Sequence, residues 1–437
     1  MSSLSTNLNN EQPTKVRHHV AIMGFLASLV NYADRILISV AAPLILAELH
    51  LSPMEWGLIL SAFFWTYSPC AFLGGILNDK LGAKTTYSLS MAVWSGFVAV
   101  TGLCWNFITF MIARLLFGVG EGPQPATTTK LVSNWFPKSD ASKALSFAML
   151  GVTVGPMLAT PFVVWLMQMF GWRACFFILG AIGFVWVVAW HYTVTEKPQD
   201  HPKVNQAELA YIQSGQTETV SETKSSAQTE VSKKGIWKLV CTPYILGICV
   251  CYFAYSWILF LVLTWYPSYL TQQHGVSLSA MGILASLPWV GATIGLMGGA
   301  IVADHFTKKA QNGDQVSARK WIIAGSMFLT AVTFASSAYV ADVYFSTFLI
   351  TVAMLFLLAS WQYQALIIAV VPQHQVGSMA GFIQFISTLA GILAPAATGY
   401  FIQYMDSFNA AFYIGAGLGI VGSLMVALFV KREGLHA

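Results

Sequence analysis

The sequence predicts an all-α membrane protein with twelve transmembrane helices in two six-helix repeats. Hydrophobic residues make up 56% of the 437-residue chain and charged residues only 9%, whereas soluble domains average about 25% charged residues. Apolar segments long enough to cross a bilayer, about 20 residues each, occur twelve times. Residues in the second and eighth of these segments also repeat one another at a constant offset.

A polar linker separates the first six segments from the last six. It is rich in Ser, Thr, Gln, Glu and Lys and is too polar to cross a membrane. The chain is therefore expected to divide into a tail (1–19), a six-helix bundle (20–193), the linker (194–242), a second six-helix bundle (243–430) and a short tail (431–437). The predicted segments lie near residues 20–46, 54–77, 83–103, 105–131, 142–168, 173–193, 243–270, 278–302, 319–340, 343–371, 375–404 and 408–430.

The two bundles carry the same small and polar residues at equivalent positions. Four pairs of identical residues are each separated by 225 positions (304 − 79 for the last pair), across one helix and the loop that follows it. Such spacing indicates parallel repeats, the construction of many transporters that bind a substrate between their halves. The pairs are Gly57 and Gly282, Ser61 and Ser286, Gly74 and Gly299, and Asp79 and Asp304.

The distribution of Lys and Arg predicts the orientation. Apart from Arg35, Arg114 and Arg173, the 22 basic residues lie in or next to the two tails and the loops after the second, fourth, sixth and eighth segments. By the positive-inside rule, both termini and the linker are expected in the cytoplasm. The expected location is the inner membrane of a bacterium.

Four formal charges lie deep within the predicted helices, away from their ends, and all four are in the N-terminal half. They are Asp34, Arg35, Arg114 and Glu121. Charges at this depth are costly and usually mark a function, although a salt bridge that only fixes helix packing is the alternative. Two acids and two bases sum to zero, so one proton on an acid leaves net positive charge for a bound anion. This pattern predicts a proton–anion symporter.

The two acids are expected to differ in protonation. Asp34 is adjacent to Arg35, and a nearby cation favours the ionised carboxylate. Asp34 is therefore expected to be the partner of Arg35 until a substrate anion replaces it. Glu121 precedes a Gly-Pro-Gln-Pro sequence in an apolar stretch, which favours the protonated acid. Those prolines are also expected to break or bend the fourth helix.

The loop after the second segment contains a second motif, Gly74-Gly75-Ile76-Leu77-Asn78-Asp79-Lys80-Leu81-Gly82-Ala83-Lys84. It resembles the G-x-L-x-D-x-x-G-x-[RK] loop of the major facilitator superfamily. The resemblance implies a gate formed by Gly75, Asp79, Gly82 and Lys84, with glycines that let helices two and eleven approach closely.

Three further motifs identify one family within that superfamily. Asn-Tyr-x-Asp-Arg ends at Arg35, Gly118-x-x-Glu121 lies in the fourth segment, and Trp-Phe-Pro ends at Pro137. Together they resemble the anion:cation symporter family, which includes galactonate, glucarate and hexuronate carriers and the lysosomal sialic acid carrier. The resemblance implies the major facilitator fold and proton-coupled import of an organic anion by alternating access. Asp34 and Glu121 would exchange protons, Arg35 would bind the substrate carboxylate, and Tyr32 and Tyr67 would offer hydroxyl groups.

The C-terminal half departs from the sugar-acid pattern. Where such carriers tend to have Asn-Phe-x-Gly-Asn, this chain reads Gln-Phe-Ile-Ser-Thr from Gln384 to Thr388. Amides and aromatic rings suit a polyol acid but also an aromatic monocarboxylate, so both substrates remain open. The further candidate substrate-binding residues are Arg114, Trp361, Gln364, Gln384 and Thr388.

Other functions fit the sequence less well. No metal-ligand cluster, activated nucleophile or nucleotide-binding loop is evident, so we expect no enzyme, no cofactor and no metal, and no nucleic acid partner. A drug–proton exporter would not place two arginines in its cavity, and a non-transporting receptor could lose the loop motif or the buried charges. The expected partners are a small organic anion, protons and the lipid bilayer, with the chain acting as a monomer.

Overall fold

The computed structural model describes residues 12–214, 240–309, 315–360, 363–371 and 375–430. Within these ranges the regular elements are helices. The α-helices are α1 (Val16–Leu49), α2 (Pro53–Leu81), α3 (Ala83–Thr101), α4 (Phe107–Glu121), α5 (Gln124–Trp135), α6 (Lys138–Met149), α7 (Gly151–Thr193), α8 (Gln206–Ser214), α9 (Pro243–Ser268), α10 (Leu278–Leu284), α11 (Leu287–Lys309), α12 (Gln315–Ser337), α13 (Val343–Ala359), α14 (Tyr363–Val370), α15 (Val376–Met405) and α16 (Asn409–Phe429).

These helices form the twelve predicted spans. Some spans are broken into two helices: the fourth is α4 with α5, the eighth α10 with α11, and the tenth α13 with α14. The stretch Lys138–Thr193 is 56 residues long and folds back at Gly171, whose φ of 77° favours glycine. It therefore supplies both the fifth and the sixth span. The predicted break of the fourth span is confirmed between Glu121 and Gln124.

The glycines of the sequence repeat make matched contacts. Close approach of backbones needs a residue without a Cβ, so each glycine marks a helix crossing. Gly57 and Gly282 lie at crossings between the two halves, whereas Gly74 and Gly299 lie at crossings within their own half. Gly57 faces Pro395 of α15, Gly282 faces Val164 of α7, Gly74 faces Pro123 between α4 and α5, and Gly299 faces Ala359 of α13.

The two halves meet at one end of the bundle. We call the end where α1 begins and α16 ends the tail end, and the opposite end the far end. At the far end, a Cβ on Gly57 would lie 2.6 Å from the carbonyl oxygen of Pro395, and the amide of Met54 donates to Gln403 of α15 over 3.1 Å. In the tail-end part of α2, on the same helix face as Gly57, a Cβ on Gly75 would meet no described atom within 4 Å. The cleft between the halves therefore opens at the tail end.

Part of the linker is ordered against the N-terminal half. Helix α8 carries Glu208, which is 0% exposed and accepts hydrogen bonds from the backbone N–H groups of Val16 (3.2 Å) and Arg17 (3.1 Å). The carboxylate thereby satisfies amides in the first turn of α1, which lack partners within the helix. Arg17 adds an ion pair of 3.0 Å to the same carboxylate. On the other side of α8, Tyr211 donates to Asp140 of α6 over 2.7 Å.

Candidate functional site

A buried ion pair joins Arg35 of α1 to Glu121 at the end of α4. The Arg35 side chain is 5% exposed and that of Glu121 is 0% exposed, and Nε of Arg35 donates to Oε1 of Glu121. Charged groups persist at such depth in a membrane protein when they pair or line a wet cavity. The guanidinium therefore has a carboxylate counter-ion, which a carboxylate from outside the chain could replace.

Three aromatic rings surround the guanidinium of Arg35. Its central carbon lies 4.7 Å from the ring centre of Tyr32 and 4.8 Å from those of Phe63 and Tyr67. Rings at this distance attract a cation and hold a planar group in place. Tyr32 and Tyr67 lie where the sequence analysis expected them, whereas Phe63 was not expected to contact the arginine.

The expectation that Asp34 is the partner of Arg35 is wrong. Adjacent residues on an α-helix do not face each other, so the two side chains leave α1 in different directions. Asp34 is 2% exposed, and neither of its carboxylate oxygens makes a hydrogen bond among the described residues. The indole of Trp94 lies nearby without hydrogen-bond geometry. Among the described residues, Glu121 is therefore the acid paired with Arg35, and Asp34 is the acid outside that ion pair.

Arg114 lies about two turns before Glu121 in α4 and is 7% exposed. Its guanidinium carbon lies 5.1 Å from the ring centre of Phe63 and 4.9 Å from that of Phe117, both in the N-terminal half. Its Nε makes no hydrogen bond within the described part of the chain. Phe63 therefore contacts both arginines of the site.

Small residues bring the helices of the site together. A Cβ on Gly155 of α7 would lie 2.6 Å from the carbonyl oxygen of Leu29 in α1, one turn before Tyr32. On α4, Gly118 faces the carbonyl of Phe63 in α2. These contacts fix α1 against α7 and α4 against α2, and the end of α4 presents Glu121 to Arg35.

Two amides near the ion pair were not among the predicted site residues. Asn31 is 0% exposed and lies next to Glu121, yet its amide makes no hydrogen bond among the residues described. Gln124 donates to Ser28 and to Tyr87, over 3.3 Å in each case. Spacing could have located Asn31, because it lies four residues before Arg35 and so on the same helix face.

The C-terminal half contributes neutral polar groups. The hydroxyl of Tyr252 in α9 donates to Oε1 of Gln384 in α15 over 3.2 Å. Ser256 and Ser387 share a hydrogen bond of 2.5 Å between the same helices. The ring of Tyr252 lies 4.8 Å from that of Tyr363, and across the cleft Tyr252 lies near Tyr32 and Tyr67 of the N-terminal half.

The remaining predicted binding residues in this half differ in position. Thr388 is buried, and its hydroxyl donates to the carbonyl oxygen of Gln384 in its own helix over 3.0 Å. Trp361 lies outside the described residues, and the side chain of Gln364 in α14 also lies outside them.

The loop motif lies at the tail end. Asp79 forms an exposed ion pair of 3.4 Å with Lys130, of a kind that contributes little to stability. Gly82 has a φ of 81°, and Glu196 accepts hydrogen bonds from the next two backbone amides, those of Ala83 (2.8 Å) and Lys84 (2.7 Å). Glu196 therefore caps α3, a contact that the motif does not indicate.

Comparison with known proteins gives consistent matches. The family model described as Major Facilitator Superfamily matches residues 24–313. A hexuronate transporter of Bacillus subtilis is 35% identical over 94% of this chain and 94% of its own length, and a probable galactarate/D-glucarate transporter of the same organism is 32% identical over 96% and 93%. A D-galactonate transporter of Escherichia coli is 29% identical over 98% and 99%.

Solved structures show the same fold at low identity. A bacterial homologue of the human lysosomal transporter Spinster has a TM-score of 0.73 and 16% identity, covering 97% of this chain and 99% of its own. A D-xylose–proton symporter has a TM-score of 0.70 and 16% identity, covering 94% and 98%.

Proposed function

The chain belongs to the Major Facilitator Superfamily, and from this premise we propose that it is a proton-coupled symporter that imports a sugar acid by alternating access. The family assignment confirms the sequence-based prediction of a multi-pass transporter and not an enzyme. The finer statements, which concern the substrate, the coupling ion and the direction of transport, are the proposal.

The observation that carries the proposal is the buried Arg35–Glu121 pair. An arginine presents a planar fork that matches a carboxylate, and here rings on several sides fix its orientation. Curated relatives named as hexuronate, galactarate/glucarate and galactonate transporters support a sugar acid as the substrate.

We assign coupling to exchange of partners at Arg35. A substrate carboxylate displaces Glu121 from the guanidinium, and the released Glu121 then lies buried without a cation. Burial of an unpaired charge is unfavourable, so Glu121 takes up a proton. Asp34, which is buried outside this ion pair, binds a second proton and releases it within the transport cycle, independently of the exchange at Arg35. Tyr32, Tyr67 and Gln384 bind substrate hydroxyl groups.

The orientation follows the positive-inside rule. With the tail end in the cytoplasm of a bacterium, the cleft described above is open to the inside and the far end is closed to the outside. In this proposal, Gly75 and Asp79 come into contact with the C-terminal half when the tail end closes. The chain functions as a monomer, because both halves of the site come from one copy.

The test is uptake of D-galacturonate and D-galactonate into proteoliposomes that contain the purified chain. An imposed inward proton gradient should drive accumulation without sodium. Uptake that requires sodium and ignores a pH step would contradict proton coupling. Glu48→Gln, at an exposed far-end position, serves as the control variant and should accumulate substrate like the parent.

A further inference from the structure

The formal charges of the site all come from the N-terminal half. Asp34, Arg35, Arg114 and Glu121 are buried within its helices. From residue 243 to residue 430 the sequence contains no Glu, and those of its Asp, Lys and Arg residues that the structure describes lie at or near helix ends. They are Asp304, Lys308, Lys309, Arg319, Lys320, Asp342 and Asp406, and Asp314 lies outside the described residues.

The opposite wall of the cleft is polar but neutral. Tyr252 and Gln384 are hydrogen-bonded to each other, as are Ser256 and Ser387. Hydroxyl and amide groups both donate and accept, so they suit the alcohol groups of a sugar. None of these four side chains can neutralise a carboxylate.

Arg114 does not supply this wall with a cation. Its ring contacts, Phe63 and Phe117, belong to the N-terminal half. A substrate bound at Arg35 must extend towards the C-terminal half, because alternating access requires both halves to close on it. Its second end therefore approaches Tyr252 and Gln384.

We propose that the site accepts sugar acids with one carboxylate, such as uronates and aldonates, and rejects aldarates, which carry two. This inference rests on the proposed function and narrows its substrate class. The single carboxylate of a uronate replaces Glu121 at Arg35, and its hydroxyl groups meet the neutral wall. The second carboxylate of an aldarate enters the same wall ionised and without a cation.

The experiment is competition against labelled D-galacturonate in counterflow, near pH 7, where both carboxylates of galactarate are ionised. An unpaired buried charge costs enough that galactarate should compete about 100-fold more weakly than D-galactonate. The monoamide of galactarate has the same length but one charge, and it should compete like D-galactonate. If the apparent affinity of galactarate lies within about tenfold of that of D-galactonate, the inference is overturned. It is also overturned if the monoamide competes as weakly as galactarate, because size and not charge would then explain the exclusion.

Substitution of the neutral wall gives a second test. Gln384→Arg places a cation opposite Arg35 and should raise the apparent affinity for galactarate relative to that for D-galacturonate. Gln384→Met, which is uncharged and of similar size to the glutamine, should not change this ratio. An equal change in both variants would contradict the role of charge.

Benzoate, with one carboxylate, and terephthalate, with two, allow the same comparison of one charge with two in molecules that have no hydroxyl groups. If the chain exchanges benzoate but neither sugar acids nor terephthalate, the sugar-acid proposal fails and selection for a single charge holds. If it exchanges none of these acids, both fail.

Discussion

Replacement of Glu121 by Gln removes the counter-ion of Arg35 and should separate substrate binding from proton uptake. In the parent, binding a carboxylate and protonating Glu121 are one linked event, so the affinity should fall about tenfold for each pH unit above neutrality. In Glu121→Gln no carboxylate competes for the arginine, and this dependence should disappear.

The magnitude follows from burial of the pair, in which the two side chains are 5% and 0% exposed. Removing one partner of a buried ion pair costs about 3–5 kcal/mol, because the other charge is left uncompensated. A bound carboxylate restores that partner. Glu121→Gln should therefore bind D-galacturonate at least about tenfold more tightly than the parent near pH 8, as part of this cost is recovered on binding.

The assay is equilibrium binding of labelled D-galacturonate to purified protein between about pH 6 and pH 8, with counterflow and gradient-driven uptake measured in parallel. Glu121→Gln should exchange substrate but not accumulate it. Glu48→Gln should keep the pH dependence of the parent. If Glu121→Gln retains that dependence, the exchange of partners at Arg35 is not the coupling step.

Three further predictions address the same site. Arg35→Lys should lower substrate affinity by about 100-fold or more although the charge is retained, because lysine cannot form the planar paired hydrogen bonds with a carboxylate. Near-normal substrate binding by this variant would show that the arginine has a structural role. Asp34→Asn should exchange substrate in counterflow but fail to accumulate it, because the amide imitates a permanently neutral acid. Binding of substrate to this variant should keep the pH dependence that Glu121→Gln loses. Accumulation equal to that of the parent would show that Asp34 takes no part in proton coupling. Gly155→Ala places a Cβ 2.6 Å from the carbonyl oxygen of Leu29 and should destabilise the protein by about 1–3 kcal/mol, which is measured as a lower Tm in detergent. The control is Gly417→Ala, where a Cβ meets no described atom within 4 Å, and it should leave the Tm unchanged.

The helices and the repeat could be predicted from the sequence because they depend on local rules. A span needs an apolar length set by the bilayer, and a close helix crossing needs a small residue. The matched contacts of Gly57 and Gly282 show how one spacing encodes equivalent crossings in both halves. The break between α4 and α5 follows in the same way from the position of Pro123.

The partners inside the site could not be predicted in the same way. The sequence places Asp34 next to Arg35, but helix geometry directs them apart and tertiary packing brings Glu121, which lies 86 residues away, to the arginine. Phe63 had no polar signal to distinguish it from other apolar residues of α2. Glu208 lies in a linker whose composition gave no sign of a buried carboxylate.

Glu208 has a mechanical consequence. Its carboxylate ties α8 to the start of α1, and Tyr211 on the same short helix is hydrogen-bonded to Asp140 near the start of α6. Helix α8 therefore links α1 to α6 at the tail end. We expect these two helices to move together when the N-terminal half tilts, with the change in angle taken up at the helix crossings between the halves, at Gly57 with α15 and at Gly282 with α7.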